Sequence, residues 1–413
     1  MTFFLNKFDT KHNSAPFSKI NISDFKPAFD ACIQKAKTEI DAIIQNSEKP
    51  TFQNTIESLD FAGENLDRLS SVFFNLNSAE TSDEMQKIAQ EVSPLLTEFS
   101  NDITLNEDLF KKVKSVYYQK DSLTLTTEQA TLLDKKFKGF ARNGALLSED
   151  KKTRLREIDT DLAKLKLTYG ENVLAETNNY QLHITNEADL SGLPEGTIEA
   201  ARTLAKSKEV EGWIFTLDYP SYIPFMTYAD NRELRKELAI AAGKKAFQNN
   251  KFDNQENVLK IASLRHERAN LLGYKTHSHF VLEERMAQNP DKVKSFLNDL
   301  LEKAKPAAEK EFAELTAFAK ELDGIEVLEK WDGAYYSEKL KQKLFSLDDE
   351  KLKPYFKLEN VLNGAFTIAK KLFGITFKEV FDIDKYHEDV QTFEVLDFEG
   401  NFNRIFTAID EAE

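Results

Sequence analysis

Several things are scarce in this sequence, and each shortage excludes something. Cys32 is the one cysteine. A single thiol forms no internal disulfide and offers no pair for a cysteine-type metal knuckle. Glycine and proline number only 14 and 10 in 413 residues, so breaks are few and long helices are favoured over a many-stranded sheet. Long apolar runs are missing as well. The amino terminus carries only Phe3, Phe4 and Leu5, far short of a signal-peptide core, and no stretch approaches the roughly 20 apolar residues of a membrane span. The cytoplasm is therefore the expected compartment, with no membrane partner. Basic residues are outnumbered, 55 against 70, for a net charge of −15. That balance disfavours nucleic acid, whose binding depends on neutralising phosphates with Lys and Arg.

What is present is helical periodicity. Ser23 or Asp24 is expected to cap a first helix whose apolar stripe is Phe25, Phe29, Cys32, Ala36, Ile40, Ile43 and Ile44, stopped by Lys49-Pro50. Cys32 lies on that stripe and reads as buried and inert. Ile56, Leu59, Gly63, Leu66, Leu69 and Phe73 mark one face of a second helix, with Gly63 expected inside it at a close helix contact. Thr81 with Glu84 reads as a capping box opening a third, through Met85, Ile88 and Val92. After Ser148, Leu155, Ile158, Leu162, Leu165 and Tyr169 alternate steps of three and four. Such a seam suits either an internal bundle or a coiled-coil partner. Tyr180–Ile184 and Trp213–Leu217 are aromatic and β-branched and read as strands around a short helix near Ala200–Ala205. Asp230 and Glu233 look like another capping box, and Thr392–Leu396 a last strand. The expected fold is mostly α, with a small β-containing insertion. The expected regions are a helical 1–178, a β-containing 179–228, and a third region, 229–413.

Six histidines are available for chemistry: His12, His183, His266, His277, His279 and His387. A helical zinc-peptidase site needs His at i and i+4, so that both imidazoles face one ion, with a Glu beside the first to activate water. His266 and Glu267 begin such a string in HERAN, but the fifth position is Asn270. Glu267 and Arg268 then read as a solvated or packing pair. His277 and His279, in THSHF, point about 200° apart if Thr276 starts a helix, which spoils shared chelation. His279 and Glu283 stand at i and i+4, a pairing common on helix surfaces. His387, in YHEDV, reads as structural. There is no GxSxG elbow, GxxxxGK[ST] loop or GxGxxG string. The residues alone nominate no catalytic, cofactor-binding or metal-binding group.

Longer strings are more specific. PTFQNTIESLD (Pro50–Asp60), VFFNLNSAETSDEMQ (Val72–Gln86) and SPLLTEFSNDITLNEDLF (Ser93–Phe110) resemble the amino-terminal helices of the thimet-oligopeptidase-type zinc metallopeptidases. This family includes bacterial oligopeptidase A and dipeptidyl carboxypeptidase. NVLAETN (Asn172–Asn178) and RHERANLLGYKTHSHFVLEERMA (Arg265–Ala287) are similar to its middle, and YHEDVQTFEV (Tyr386–Val395) to the segment leading to its catalytic region. The resemblance implies two helical lobes flanking a channel for short, unstructured peptides, with zinc held by an HExxH helix and a further Glu. It places that helix well beyond residue 395, so none of the family's site residues transfers to a position here. The tail NFNRIFTAIDEAE departs from the family's Gly-rich continuation. The reading is a family member truncated before its zinc site, with region 229–413 the start of the catalytic domain. Alone it is expected to be inactive and to bind no zinc. Its expected partners are short peptides and the missing carboxy-terminal portion. The alternative is a non-catalytic helical peptide- or protein-binding module. Uncovered apolar faces predict self-association or low solubility unless a partner is present.

Overall fold

The computed structural model describes residues 2–347 and 349–408. The fold is mostly helical, as expected, and the chain divides into two compact units. One holds the residues up to Leu167, Leu264–Tyr274 and those from Phe356 on; the other holds Thr168–Ser263 and Lys275–Tyr355.

The first unit is built around α1 (Phe25–Gln45), whose Phe25, Phe29, Cys32, Ala36, Ile40 and Ile43 are buried as the stripe predicts, with Ile44 half-buried. The helix ends at Gln45, ahead of Lys49-Pro50. The expected second helix is interrupted. A π-helical turn over Phe52–Glu57 opens on a reciprocal Thr51–Asn54 cap. The short α2 (Ser58–Phe61) follows, and then Gly63 at φ +88° precedes α3 (Glu64–Ala79). Gly63 is thus a left-handed break rather than a helix-interior residue, because the chain re-aims there while keeping Leu59 and Leu66 inward. The contact there is an ordinary one rather than an unusually close approach: a Cβ on Gly63 would sit 3.7 Å from the Ala36 Cβ.

α4 (Asp83–Thr104) starts one residue later than expected, since the Ser82 hydroxyl, not Thr81, accepts from the Met85 amide at 3.2 Å. α5 (Glu107–Tyr117), α6 (Thr127–Arg142) and the first half of α7 (Glu149–Asn179) complete the bundle. Phe73 meets Phe25 at 5.0 Å and Phe29 at 5.4 Å, both edge-to-face, in the middle of this core. Along α7, Leu155, Ile158 and Leu162 are buried, Leu165 is half-buried and Tyr169 is 43% exposed. The seam is an internal one that fades where the first unit ends.

In the second unit, β1 (Leu182–Ile184) and β2 (Trp213–Phe215) pair antiparallel, Leu182 opposite Phe215. α8 (Glu195–Ser207) lies between them in sequence. Both strands were legible, two residues shorter than their patterns. α9 (Tyr219–Tyr228) and α10 (Arg232–Gly243) pack Phe225 and Leu238 into the same core. The cap of α10 is Asn231, accepting from the Glu233 and Leu234 amides. Asp230, expected in that role, instead accepts from Ser191 Oγ at 2.7 Å and Tyr335 Oη at 2.8 Å. Three further helices belong wholly to this unit: α12 (His277–Leu282), α13 (Pro290–Asp323) and α14 (Gly333–Phe345). α11 (Gln255–Leu271) begins in the second unit and ends in the first.

The first unit also contains α15 (Leu358–Phe373) and an antiparallel sheet of β3 (Thr376–Glu379), β4 (Gln391–Leu396) and β5 (Phe402–Ala408), with β4 central. The sequence pattern exposed only β4. The end of the NFNRIFTAIDEAE tail, from Ile409, lies outside the described residues.

Candidate functional site

The HERAN string sits near the carboxyl end of α11, where helical spacing does put residues 266 and 270 on one face. Asn270 Nδ2 lies 3.0 Å from His266 Nε2. An amide nitrogen only donates, so the ring nitrogen accepts and its lone pair is engaged within the helix. Glu267 turns elsewhere: Arg154 of α7 grips it from both sides, Nε to Oε1 at 2.7 Å and Nη2 to Oε2 at 2.9 Å. That charge-assisted fork, more than any other influence, holds the Glu267 carboxyl below the usual carboxylate range. Arg268 Nε donates to Asp159 Oδ1 at 2.6 Å, again on α7. Glu267 and Arg268 are therefore two struts that fasten the end of α11 to α7, each with its own partner there.

Four further histidines each have a partner of their own. Thr276 caps α12, as the string suggested, accepting from the His279 amide, and its hydroxyl lies 2.8 Å from His279 Nδ1. The His277 ring faces Phe280 with centroids 6.5 Å apart. His183 projects from β1 to the Glu211 carbonyl at 2.6 Å. His387 also precedes a glutamate, Glu388, but its fifth position is Gln391 and the segment is not helical. The Asp389 amide donates to its Nδ1 at 3.3 Å.

His12 belongs to an arrangement that the sequence did not disclose. Its Nε2 lies 2.8 Å from Glu394 Oε1, and its ring stacks on Phe402 at 3.5 Å and 4°. Lys11 Nζ binds the same Glu394 oxygen at 2.8 Å and also Asp382 at 2.9 Å. Hydrogen bonding from Lys11, then from His12, pulls the Glu394 carboxyl down to about 2. Nothing in a linear pattern pairs residues 382 positions apart.

A second polar centre holds the other unit together. Asp332, fully buried, receives Arg232 through Nε at 2.9 Å and Nη2 at 2.7 Å, and Arg235 Nη2 at 3.2 Å. Burial alone would raise this carboxyl. The hydrogen bonds from Arg232, the Glu329 amide and Arg235 outweigh it and keep it low. Arg235 also donates to the carbonyls of Ala229, Asp230 and Trp331 and lies 4.0 Å over the Tyr335 ring. With its donors consumed by backbone and carboxylate, this is a structural knot.

A hydrolytic zinc needs at least three protein ligands with one open position. Among the described residues, no three His, Cys, Asp or Glu side chains converge on a point that could hold a metal. With Asn270 at the decisive position and Glu267 committed to Arg154, the residues of α11 do not fit the ion.

Comparison with known proteins places these elements in a lineage. Residues 225–409 match the model of peptidase family M3. Oligopeptidase A of Salmonella typhimurium is 38% identical over 396 residues, covering 95% of this chain and 58% of that protein. The dipeptidyl carboxypeptidase of Escherichia coli is 33% identical over 402 residues, covering 97% of this chain and 59% of its own length. Organellar oligopeptidase A of Arabidopsis thaliana is 28% identical over 396 residues, 94% of this chain and 50% of that protein. The chain thus spans less than two thirds of the length of these relatives.

Proposed function

Because the chain belongs to peptidase family M3, we propose that its 413 residues form the non-catalytic front portion of a zinc oligopeptidase. By themselves they bind no zinc and hydrolyse no peptide. The observation that carries this reading is Asn270, whose amide occupies His266 where a second imidazole would be required. The wider assignment rests on similarity spread over 95% of the chain. The match from residue 225 supports treating 229–413 as the opening of the peptidase domain, after a helical 1–178 and a β-containing 179–228. The substrate class of the assembled enzyme is short oligopeptides, in keeping with its relatives' names. The partner is the portion that carries the zinc helix, and the compartment is the cytoplasm.

The test is direct. Purified chain, dialysed against zinc, is assayed for bound metal and for cleavage of a quenched fluorescent short peptide. The expected result is metal well below one equivalent and no turnover. Stoichiometric zinc with chelator-sensitive cleavage would refute the reading.

A further inference from the structure

α13 is the longest helix among the described residues, 34 residues from Pro290 to Asp323, capped by the Asn289 side chain on the Lys292 amide at 2.9 Å. One stripe runs down it at three- and four-residue steps: Val293, Phe296, Leu297, Leu300, Leu301 and onward to Leu315 and Phe318. The carboxyl end of the stripe is covered, with Phe318 and Ala319 buried against Tyr335 and Tyr336 of α14. The rest is bare. Phe296 is 67% exposed and Leu301 60%, Leu297 and Leu300 are each more than half exposed, and Phe318 and Ala319 are the helix's only buried residues. The uncovered ridge, from Phe296 to Phe312, is about 24 Å long at 1.5 Å per residue. Contiguous apolar ridges of this extent are rare on monomers and mark interfaces.

What covers it is indicated by two observations. The covered and bare parts are one unbroken stripe, so the missing neighbour continues a layer that the protein's own α14 begins. The stripe also lies inside the segment matching the family model, while about two fifths of the length of oligopeptidase A has no counterpart in these residues. We infer that the bare stripe of α13 is the seat of that remaining polypeptide, taken through amphipathic helices that set their own Leu-, Ile- or Phe-rich faces against it. The inference rests on the function proposed above, and it holds whether that polypeptide is encoded contiguously or supplied in trans.

The experiment co-expresses the full chain with the part of Salmonella oligopeptidase A that has no counterpart here. Complex formation is read by light scattering, and protection of residues 293–312 by hydrogen exchange. A one-to-one complex is expected. Leu297→Glu or Leu301→Glu should weaken it at least tenfold, and Phe296→Ala by less, each leaving the free chain's melting temperature unchanged because these side chains already face water. Failure to associate, association indifferent to these substitutions, or a homodimer that the same substitutions dissociate would overturn the inference. Peptide cleavage is read separately. A stripe-dependent complex without activity sustains the seat and sinks the peptidase reading, whereas activity independent of the stripe does the reverse.

Discussion

α1 and α13 carry the same kind of apolar stripe and meet opposite fates. Seven of 21 residues in α1 are buried, against two of 34 in α13. The difference does not lie in the helices. α1 is covered by Phe4 from the amino-terminal turn, by α3 and by α4, so its apolar stripe has partners along its length. In α13 the buried positions are confined to Phe318 and Ala319, near its carboxyl end, against Tyr335 and Tyr336 of α14. Helical periodicity states which face seeks cover; whether cover arrives depends on the rest of the fold.

The contrast can be sharpened by substitution, starting with the largest expected effect. Phe73→Ala empties a fully buried site ringed by Phe25, Phe29 and Phe74. It should cost about 3–5 kcal/mol, seen as a lower denaturant midpoint at constant slope. Asp332→Ala leaves Arg232 and Arg235 without their carboxylate and should cost about 3–5 kcal/mol. A loss below about 1 kcal/mol would mean the knot is dispensable. Gly63→Ala meets only the Ala36 methyl at an ordinary 3.7 Å, so its cost is the left-handed backbone alone, about 1–2 kcal/mol. At the other extreme, Phe296→Ala should change stability by no more than about 0.5 kcal/mol. A drop as large as that of Phe73→Ala would erase the distinction between the two helices.

Acid titration separates the regions in another way. The folded pKa of Glu394, about 2, lies below the ordinary value of roughly 4.3. Its contribution is complete above the ordinary value and is lost as pH falls towards 2. Melting temperature should fall over that window, and Glu394→Gln should flatten the decline. A variant with an unchanged profile would show that the Lys11–His12 contact contributes nothing.

Much of the fold was legible because local signals and tertiary demand agreed. The α1 stripe, the Leu155–Leu162 seam, the paired short strands and the Thr276 cap all follow from period and propensity. Two of the errors share a cause: capping residues compete at adjacent positions. Ser82 displaced Thr81 and Asn231 displaced Asp230, since either neighbour could supply the oxygen and only the incoming chain direction decides. Gly63 was seen but misassigned, because a left-handed break between two aligned helices keeps the same apolar register as a continuous helix. β3 and β5 were missed because both flank β4 with exposed or half-buried side chains, so neither carries a buried alternating face to be read. At the candidate site, HERAN and its Asn270 were readable directly. The engagement of Glu267 by Arg154, 113 residues earlier, was not.

The Lys11–His12 grip on Glu394 carries a consequence for biosynthesis. It joins residues 382 positions apart, and closing so long a loop is slow compared with local helix formation. A ribosome delivers Lys11 long before Glu394 exists, so the opening segment must wait, undocked, while nearly everything else is translated. Trypsin should therefore cut at Lys11 in nascent chains stalled before residue 394 and spare it in the finished protein. Equal cutting in both would show that the segment docks without its distant partner.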